Sequence, residues 1–495
     1  MAPIRVRPWF AAALALAATL AVCGFGPGGA SARPSAASAG WGKAVLLAGL
    51  TKTNDSQVSA ISCSAPGNCV ATGSYGAGFA PTVRGRMFVV NQIRGAWGKP
   101  ATLRGLARTK EPASSPAGLA CFPAGSCVLV GSYKDAAGRS QAFITSQVHG
   151  TWSKISWVPG LAGLDRGHSN GLSELSCPSA GNCTAAGTYA DAAGASHPFV
   201  VAQVHGKWGS ALAVPDLAGL PGQVADTIPG LGPISCASAG NCALAGTYSV
   251  TRANPDSGSN QVYVDNEVNG VWGTPTAVPG LAALNADLVD SINAISCPAP
   301  GDCSAGGQYT DSELSANAFV VNETNGTWGT ATEVKTQIHS NWITSISCPS
   351  SGNCVAGGVD NVDEDALSSS AFIVTETRGT WGEAVPVPGI DKLNQGDQGW
   401  LNQISCSSVG NCGIAGFTSV VYGFGFIYTQ PFVDNQVHGK WGQATLVPGI
   451  KTARPNDGQA AGTTAISCTG SARCSVGGYY QSDDGSTHAF VASRP

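Results

Sequence analysis

The sequence predicts an all-β protein: a single eight-bladed β-propeller of four-stranded blades, closed by an N-terminal strand that completes the last blade. Three observations predict it. Sixteen cysteines form eight pairs, each pair six residues apart, and the pairs recur every 51 to 62 residues. A glycine stands four residues after the second cysteine of every pair, from Gly73 to Gly478. An aromatic follows in every unit (Phe88, Phe143, Phe199, Tyr263, Phe319, Phe372, Phe432, Phe490), with a tryptophan nine residues later in the first seven. Self-similarity at such a period marks a repeat architecture.

The chain opens on a leader. Met1 to Pro8 carries Arg5 and Arg7, Phe10 to Val22 is apolar, and Ala30-Ser31-Ala32 offers a small-residue cleavage site. That order reads as a secretory signal peptide over residues 1–32, followed by a short linker over 33–40 and the propeller over 41–495. The apolar run is shorter than the roughly 20 residues a spanning helix needs, so no transmembrane helix is expected. Leu20-Ala21-Val22-Cys23 loosely matches a lipobox, which makes a lipid anchor on Cys23 the alternative to free secretion. Both place the protein outside the cytosol.

Within a unit, Ile-Ser-Cys ends the first strand and Cys69 to Tyr75 exemplifies the second. Phe88 to Ile93 exemplifies the third, and a fourth runs on from Trp97. Third and fourth strands are joined by pairs such as Arg94-Gly95, His149-Gly150 and Asn325-Gly326, which suit tight hairpins. Pro-Gly pairs such as Pro159-Gly160 end the fourth strand, and no helical period survives the glycines and prolines. The eighth unit lacks its tryptophan, whereas Trp41-Gly42-Lys43-Ala44 stands before the first unit. The N-terminal segment therefore supplies the missing strand, as a closed ring requires; an open solenoid would carry capping repeats instead.

Cysteines six apart flank a five-residue hairpin loop and face each other across it, within disulfide reach. The expected bridges are Cys63–Cys69, Cys121–Cys127, Cys177–Cys183, Cys236–Cys242, Cys297–Cys303, Cys348–Cys354, Cys406–Cys412 and Cys468–Cys474. Each closes a loop worth about 2.4 kcal/mol in the chain-entropy treatment. Zinc knuckles use closer spacing, and no metal or cofactor is expected.

Spacing also separates two faces. Cysteine-to-cysteine and aromatic-to-tryptophan intervals never change, so the turns they span share a constant face. Second cysteine to aromatic varies from 16 to 21 residues, and tryptophan to next cysteine from 20 to 28. All length variation thus falls on the opposite face, where loops on a rigid scaffold carry function. There the loop of unit 7 holds Tyr422, Phe424, Phe426 and Tyr428, and Trp342 and Trp400 each stand six residues before a first cysteine. These six residues either line an aromatic wall for a ligand or fold back to cover the channel. The recurrent tryptophans read instead as a packing girdle between blades.

Charge is uneven. Residues 33–110 hold ten Lys or Arg, Arg84 and Arg86 among them, against Asp55 alone. Residues 111–495 hold fourteen basic and 29 acidic residues, a net of −15. Unit 1 is therefore a basic sector that could dock an anionic wall polymer through Arg84 and Arg86, or simply a solvated face. With 43% apolar and 11% charged residues, disorder is excluded, and a net charge of −4 disfavours nucleic acid. Asp360, Asp363, Glu364 and Asp365 lack the turn glycine of a calcium loop. No H-E-x-x-H, G-x-S-x-G or Walker pattern occurs in residues 33–495, and no catalytic residue stands out.

Ser176-Cys177-Pro178-Ser179-Ala180-Gly181-Asn182-Cys183 resembles the S-x-S-C-P-S-x-G-N-C-x-A-x-G unit of secreted actinobacterial repeat proteins. Asn325-Gly326-Thr327-Trp328 distantly resembles the Asp-box of sialidase and BNR propellers, with the Asp absent and glycine-to-tryptophan spacing two rather than three. Tryptophan-bearing blades are also similar to quinoprotein dehydrogenases, without their vicinal cysteine pair. These resemblances imply a fold, not an activity. The expected function is that of a secreted, monomeric, non-catalytic binding or scaffold propeller, with a carbohydrate or anionic cell-wall polymer on its variable face. The alternative is a secreted polysaccharide hydrolase or lyase with carboxylates in a face cleft.

Overall fold

Short β-rich runs punctuated by turn dipeptides become strands throughout. A computed structural model describes residues 40–47, 49–50, 55–76, 85–106, 114–214, 219–223, 230–250, 259–284, 290–336, 340–361, 368–394, 398–422, 426–450 and 460–495. The signal peptide expected over residues 1–32, the expected linker up to residue 39 and Cys23 lie outside the described residues. Units 1–7 each form an antiparallel four-stranded sheet in sequential order, and among the described residues one parallel bridge, Ser369↔Gln398, joins the sheets of units 6 and 7. In unit 5 the strands are Ser291–Ala299, Asp302–Thr310 and Ala316–Thr324, with the fourth in two pieces, Thr327–Trp328 and Thr332–Glu333.

That break corrects the continuous fourth strand expected from sequence. Thr327–Trp328 pairs with the end of the third strand, and Thr332–Glu333 rejoins it at Phe319 and Val320. Between the pieces the backbone leaves its own sheet, and Ala331 N–H donates to Pro279 O of the preceding unit at 2.8 Å. Ala211, Ala444 and Ala44 repeat this bond onto Pro159, Pro388 and Pro448, at 2.7 to 2.8 Å. The Pro-Gly pair thus ends one fourth strand and anchors the next.

The five-residue cysteine loop is also corrected. In unit 1 the first strand runs Ser56–Ala65 and the second starts at Asn68, so only Pro66-Gly67 turns the chain. A register shift between Cys63 and Ala65 absorbs the difference, and Cys63 faces Cys69 directly. All eight disulfides form, with Cα–Cα distances of 3.9 to 4.1 Å. Gly67 adopts φ +72°, and a Cβ there would lie 2.8 Å from Gly95 N, so only glycine fits. Its carbonyl accepts Gly95 N–H at 2.8 Å, and the same bond recurs in units 1–7 at 2.8 to 3.2 Å. Asn68 Oδ1 accepts Arg94 N–H at 3.2 Å, as Asn182, Asn241 and Asn411 do for their own turns. The Gly-Asn-Cys triplet therefore locks the two constant turns together.

Helices were not expected, yet one-turn helices occupy Leu161–Leu164, Leu281–Leu284 and Ile390–Asn394, each after Pro-Gly. They are too short for a period to show. Each buries its first residue, Leu161, Leu281 or Ile390.

The recurrent glycine and aromatic are cross-strand neighbours: Gly73 faces Phe88, Gly187 faces Phe199 and Gly478 faces Phe490. Seven of the eight aromatics, all but Phe372, are the largest fully buried side chains among the described residues, each contributing about 2–3 kcal/mol of apolar burial.

Neighbouring sheets are joined by the Ile-Ser-Cys serine. Ser62 Oγ accepts Cys121 N–H of the next unit at 2.9 Å. The bond recurs between units 3 and 4, 4 and 5, 5 and 6, 6 and 7, and 7 and 8, at 2.8 to 3.0 Å. Ser467 of unit 8 makes it to Cys63 of unit 1 at 3.0 Å. Only the step from unit 2 to unit 3 lacks it, because Ala120 has no hydroxyl. Ala120→Ser is expected to supply the missing bond and raise unfolding free energy by about 1 kcal/mol. Denaturant unfolding checks this, and a destabilised variant would refute it.

The eighth sheet ends on the chain's first described strand. Val45 and Leu46 pair with Val491 and Phe490, in the register by which Leu212 and Ala213 pair with Val200 and Phe199. Gly42 N–H donates to Ser493 O at 3.0 Å, as Gly209 does to Ala202 at 2.8 Å.

Candidate binding site

Each first strand enters from the variable side, six residues before its first cysteine. That position holds Gly171, Gly230 and Ser291 in units 3–5, then Trp342 and Trp400 in units 6 and 7. The two indoles meet edge to face, 5.3 Å between centroids at 66°. Trp400 also stacks on Phe417, its cross-strand neighbour, at 5.8 Å and 11°. In unit 8 the position is Gly462, where a Cβ would touch both Phe417 and the ring of Tyr479 at 3.6 Å. An aromatic row thus spans units 6–8, and Trp342 and Trp400 are half-buried.

Of the residues singled out from sequence, Trp342 and Trp400 are brought together. Tyr422 and Phe426 pair across the tip of a long hairpin, Asn411–Tyr422 with Phe426–Val437, and Tyr428 is half-buried beside Val420. Phe424 and Arg84 lie outside the described residues. Arg86 is exposed at the start of the third strand of unit 1, opposite Tyr75. It belongs to a different sheet from the tryptophans. Phe417 and Tyr479 were missed. Their signal was the column five residues after the second cysteine, which is aromatic only in units 7 and 8.

Loop length has a structural cause. Asp135, Asp191 and Asp311 each accept two backbone N–H groups across a tight loop in units 2, 3 and 5. A second side chain clasps each carboxylate: Arg139 at 2.9 Å, His197 at 3.0 Å and Asn317 at 2.7 Å. Hydrogen bonding, foremost from the Arg139 amide and the His197 ring, holds Asp135 and Asp191 below the ordinary carboxylate range.

A second group of carboxylates is buried between sheets. Asn266 Nδ2 donates to Glu323 Oε1 at 2.6 Å, while Trp328 Nε1 donates to Asn266 Oδ1 at 3.2 Å. Trp381 and Trp41 likewise donate to Asn322 and Asn435 of the preceding unit at 3.0 Å. These three indoles act as the packing girdle. Burial pushes Glu323, Asp265 and Asp434 up to about 6, and raises Glu267 and Glu376. Glu174 differs: it stands on the first strand of unit 3, half-exposed, and burial pushes it up to about 7. Asp360 is buried and accepts from Thr336 Oγ1 at 3.1 Å; Asp363, Glu364 and Asp365 lie outside the described residues. Among the described residues no cluster of three His, Cys, Asp or Glu is placed to hold a metal, and no helix is long and apolar enough to cross a membrane. The eight disulfides fit an oxidising, extracellular compartment.

No family model and no curated protein matches the sequence. The structure is similar to a solved ulvan lyase, a polysaccharide lyase, at 12% identity over 67% of this chain and 80% of that one, TM-score 0.41. It is similar to the β-propeller domain of the trilobed protease from Pyrococcus furiosus, at 7% identity over 76% and 95%, TM-score 0.42. A Hadza microbial sialidase is similar at 10% identity over 72% and 73%, TM-score 0.35.

Proposed function

We propose that the eight sheets close into one eight-bladed β-propeller over residues 41–495, exported after loss of residues 1–32. We propose that it is a monomeric, non-catalytic module binding carbohydrate on its variable face. Closure is supported by the Val45–Val491 pairing and by the Ser467 bond to Cys63, which repeat the geometry found inside and between the other units. The observation that carries the binding reading is the Trp342–Trp400–Phe417 stack. Half-buried aromatic faces bind the apolar faces of sugar rings. In units 3–5 the same level of the sheets is polar: Thr188, Thr247 and Gln308 face Gly171, Gly230 and Ser291. An aromatic arc beside hydroxyl and amide groups is the combination a sugar needs. Trp400→Ala is expected to weaken binding of the best ligand in a glycan and wall-polymer screen about tenfold; unchanged binding would overturn the site.

One observation favours a second reading, a polysaccharide hydrolase or lyase. Burial raises the Glu174 carboxyl to about 7, the direction a general acid needs. Release of new chain ends in the same screen separates the two readings.

A further inference from the structure

The constant face, opposite the aromatic arc, carries a different feature where unit 8 meets unit 1. A cleft of about 470 Å³ there is lined by Lys43, Arg94, Arg473 and Arg494, and by no aspartate or glutamate. A comparable cleft of about 430 Å³ lies between units 1 and 2, where Asn68, Asn91, Gln147 and His149 line it without a lysine or arginine. The shape therefore belongs to the repeat, and the charge belongs to this one junction.

The charge has a cause in the repeat. Arg473 precedes the second cysteine of its unit, where Asn68, Asn182, Asn241, Asn353 and Asn411 cap the constant turns. Unit 8 takes its fourth strand from Val45–Leu46, so no such turn needs a cap and the position is released. Arg494 stands four residues after Phe490, where the other units place glutamine or glutamate. It faces Asp434, whose carboxyl it pulls back down against the effect of burial. Lys43, Arg94 and Arg473 are exposed, and none has an ion pair among the described residues. Pro495 also lines the cleft.

We propose that this cleft is an anion site that takes a carboxylate, sulfate or phosphate group borne on a polysaccharide. It is a second site, independent of the sugar-binding reading above. Two features fit isolated anionic groups on a polymer better than a densely charged chain. The cations converge on one cleft, and residues 111–448, which make up units 2–7, hold ten basic and 26 acidic residues, a net of −16, which repels a long polyanion beyond it. Exposed guanidinium groups hold a free ion weakly against salt, whereas a polymer re-presents its charges at high local concentration.

The test uses the Arg94→Asn/Arg473→Asn double variant, which restores residues that other units carry at those positions and so preserves the turns. Binding is measured to a lightly sulfated dextran, a highly methyl-esterified pectin and a dextran bearing sparse phosphate groups, with neutral dextran and anionic lipid vesicles as controls. Wild type is expected to bind at least one anionic polymer and not dextran, and to weaken about tenfold or more between 0.05 and 0.5 M salt, as screening requires. The double variant is expected to lose about tenfold or more in affinity, and Trp400→Ala to bind these polymers as wild type does. The proposal is overturned if no anionic polymer binds, if the double variant binds equally, or if only anionic lipid vesicles bind. Loss in Trp400→Ala alone would move the anion site to the aromatic face and overturn it too.

Discussion

Gly307→Ala is expected to destabilise the fold by about 3 kcal/mol or more, close to the limit for a single methyl group. The reason is local. The first strand of each unit bulges, shifting register between Ile292 and Ala294 in unit 5, and this brings Ser291 O over the second strand. A Cβ on Gly307 would overlap that carbonyl oxygen and crowd Ser291 C and Ile292 Cα. Backbone cannot rotate away as a side chain can, so the first two strands must part. The opposite flank is closed as well, because Gly307 faces Phe319, which is fully buried. Gly358 and Gly416 meet Trp342 O and Trp400 O in the same way, so there the substitution would also disturb the aromatic arc. Gly163→Ala is the control: it lies in Leu161–Leu164, a Cβ there meets nothing within 4 Å, and no loss is expected. Urea unfolding with disulfides intact, followed by tryptophan fluorescence, reads both variants. A Gly307→Ala protein within 1 kcal/mol of wild type would refute the steric reading.

That glycine also shows how far recurrence could be read. Its column was visible from sequence, as were the cysteine pairs, the x-Gly hairpin turns such as Asn325-Gly326 and the segment at Trp41 that completes unit 8. Each is set by contacts within one sheet, which repeat at constant spacing. The break in the fourth strand was not legible, because Ala331 leaves its ladder for Pro279 in another unit, and nothing local to Ala331 signals that. One-turn helices such as Leu161–Leu164 fall below any period. In the candidate site, Trp342 and Trp400 stood out as extra tryptophans, whereas Phe417 and Tyr479 show only when equivalent columns of all units are compared. The arginines at the junction of units 8 and 1 come from opposite ends of the chain. Arg86 and Arg84 drew attention in that sector, but the cations lining the cleft there are Arg94, Lys43, Arg473 and Arg494.

Stability is expected to rise as pH falls from 7.5 to about 5, against the usual expectation for a protein with more acidic than basic residues. The cause is the set of carboxyls enclosed between sheets. Asp265, Glu323 and Asp434 are 3 to 5% exposed, and burial pushes each up to about 6. Hydrogen bonds from Asn266 to Glu323 and from Asn435 N–H to Asp434 offset only part of that. A carboxyl with a raised folded pKa holds its proton more tightly folded than unfolded. With an unfolded value near 4 and a folded value near 6, acidification from pH 7.5 to 5 therefore favours the folded chain, by about 1 kcal/mol for each of the three. Glu267 and Glu376 shift in the same direction. The gain saturates once the pH reaches the unfolded values. Below that, Asp135, Asp191 and Asp484 act oppositely: hydrogen bonding lowers their folded pKa, so their contribution is lost as they protonate. The profile should be a dome with its maximum on the acid side of neutrality. Asp265→Asn and Asp434→Asn should flatten the limb between pH 5 and 7.5 while leaving the acid limb in place, because those loops are untouched. Urea midpoints at half-unit pH steps measure it, and a wild-type stability that is flat or increasing from pH 5 to 7.5 would show that these carboxyls are solvated rather than enclosed.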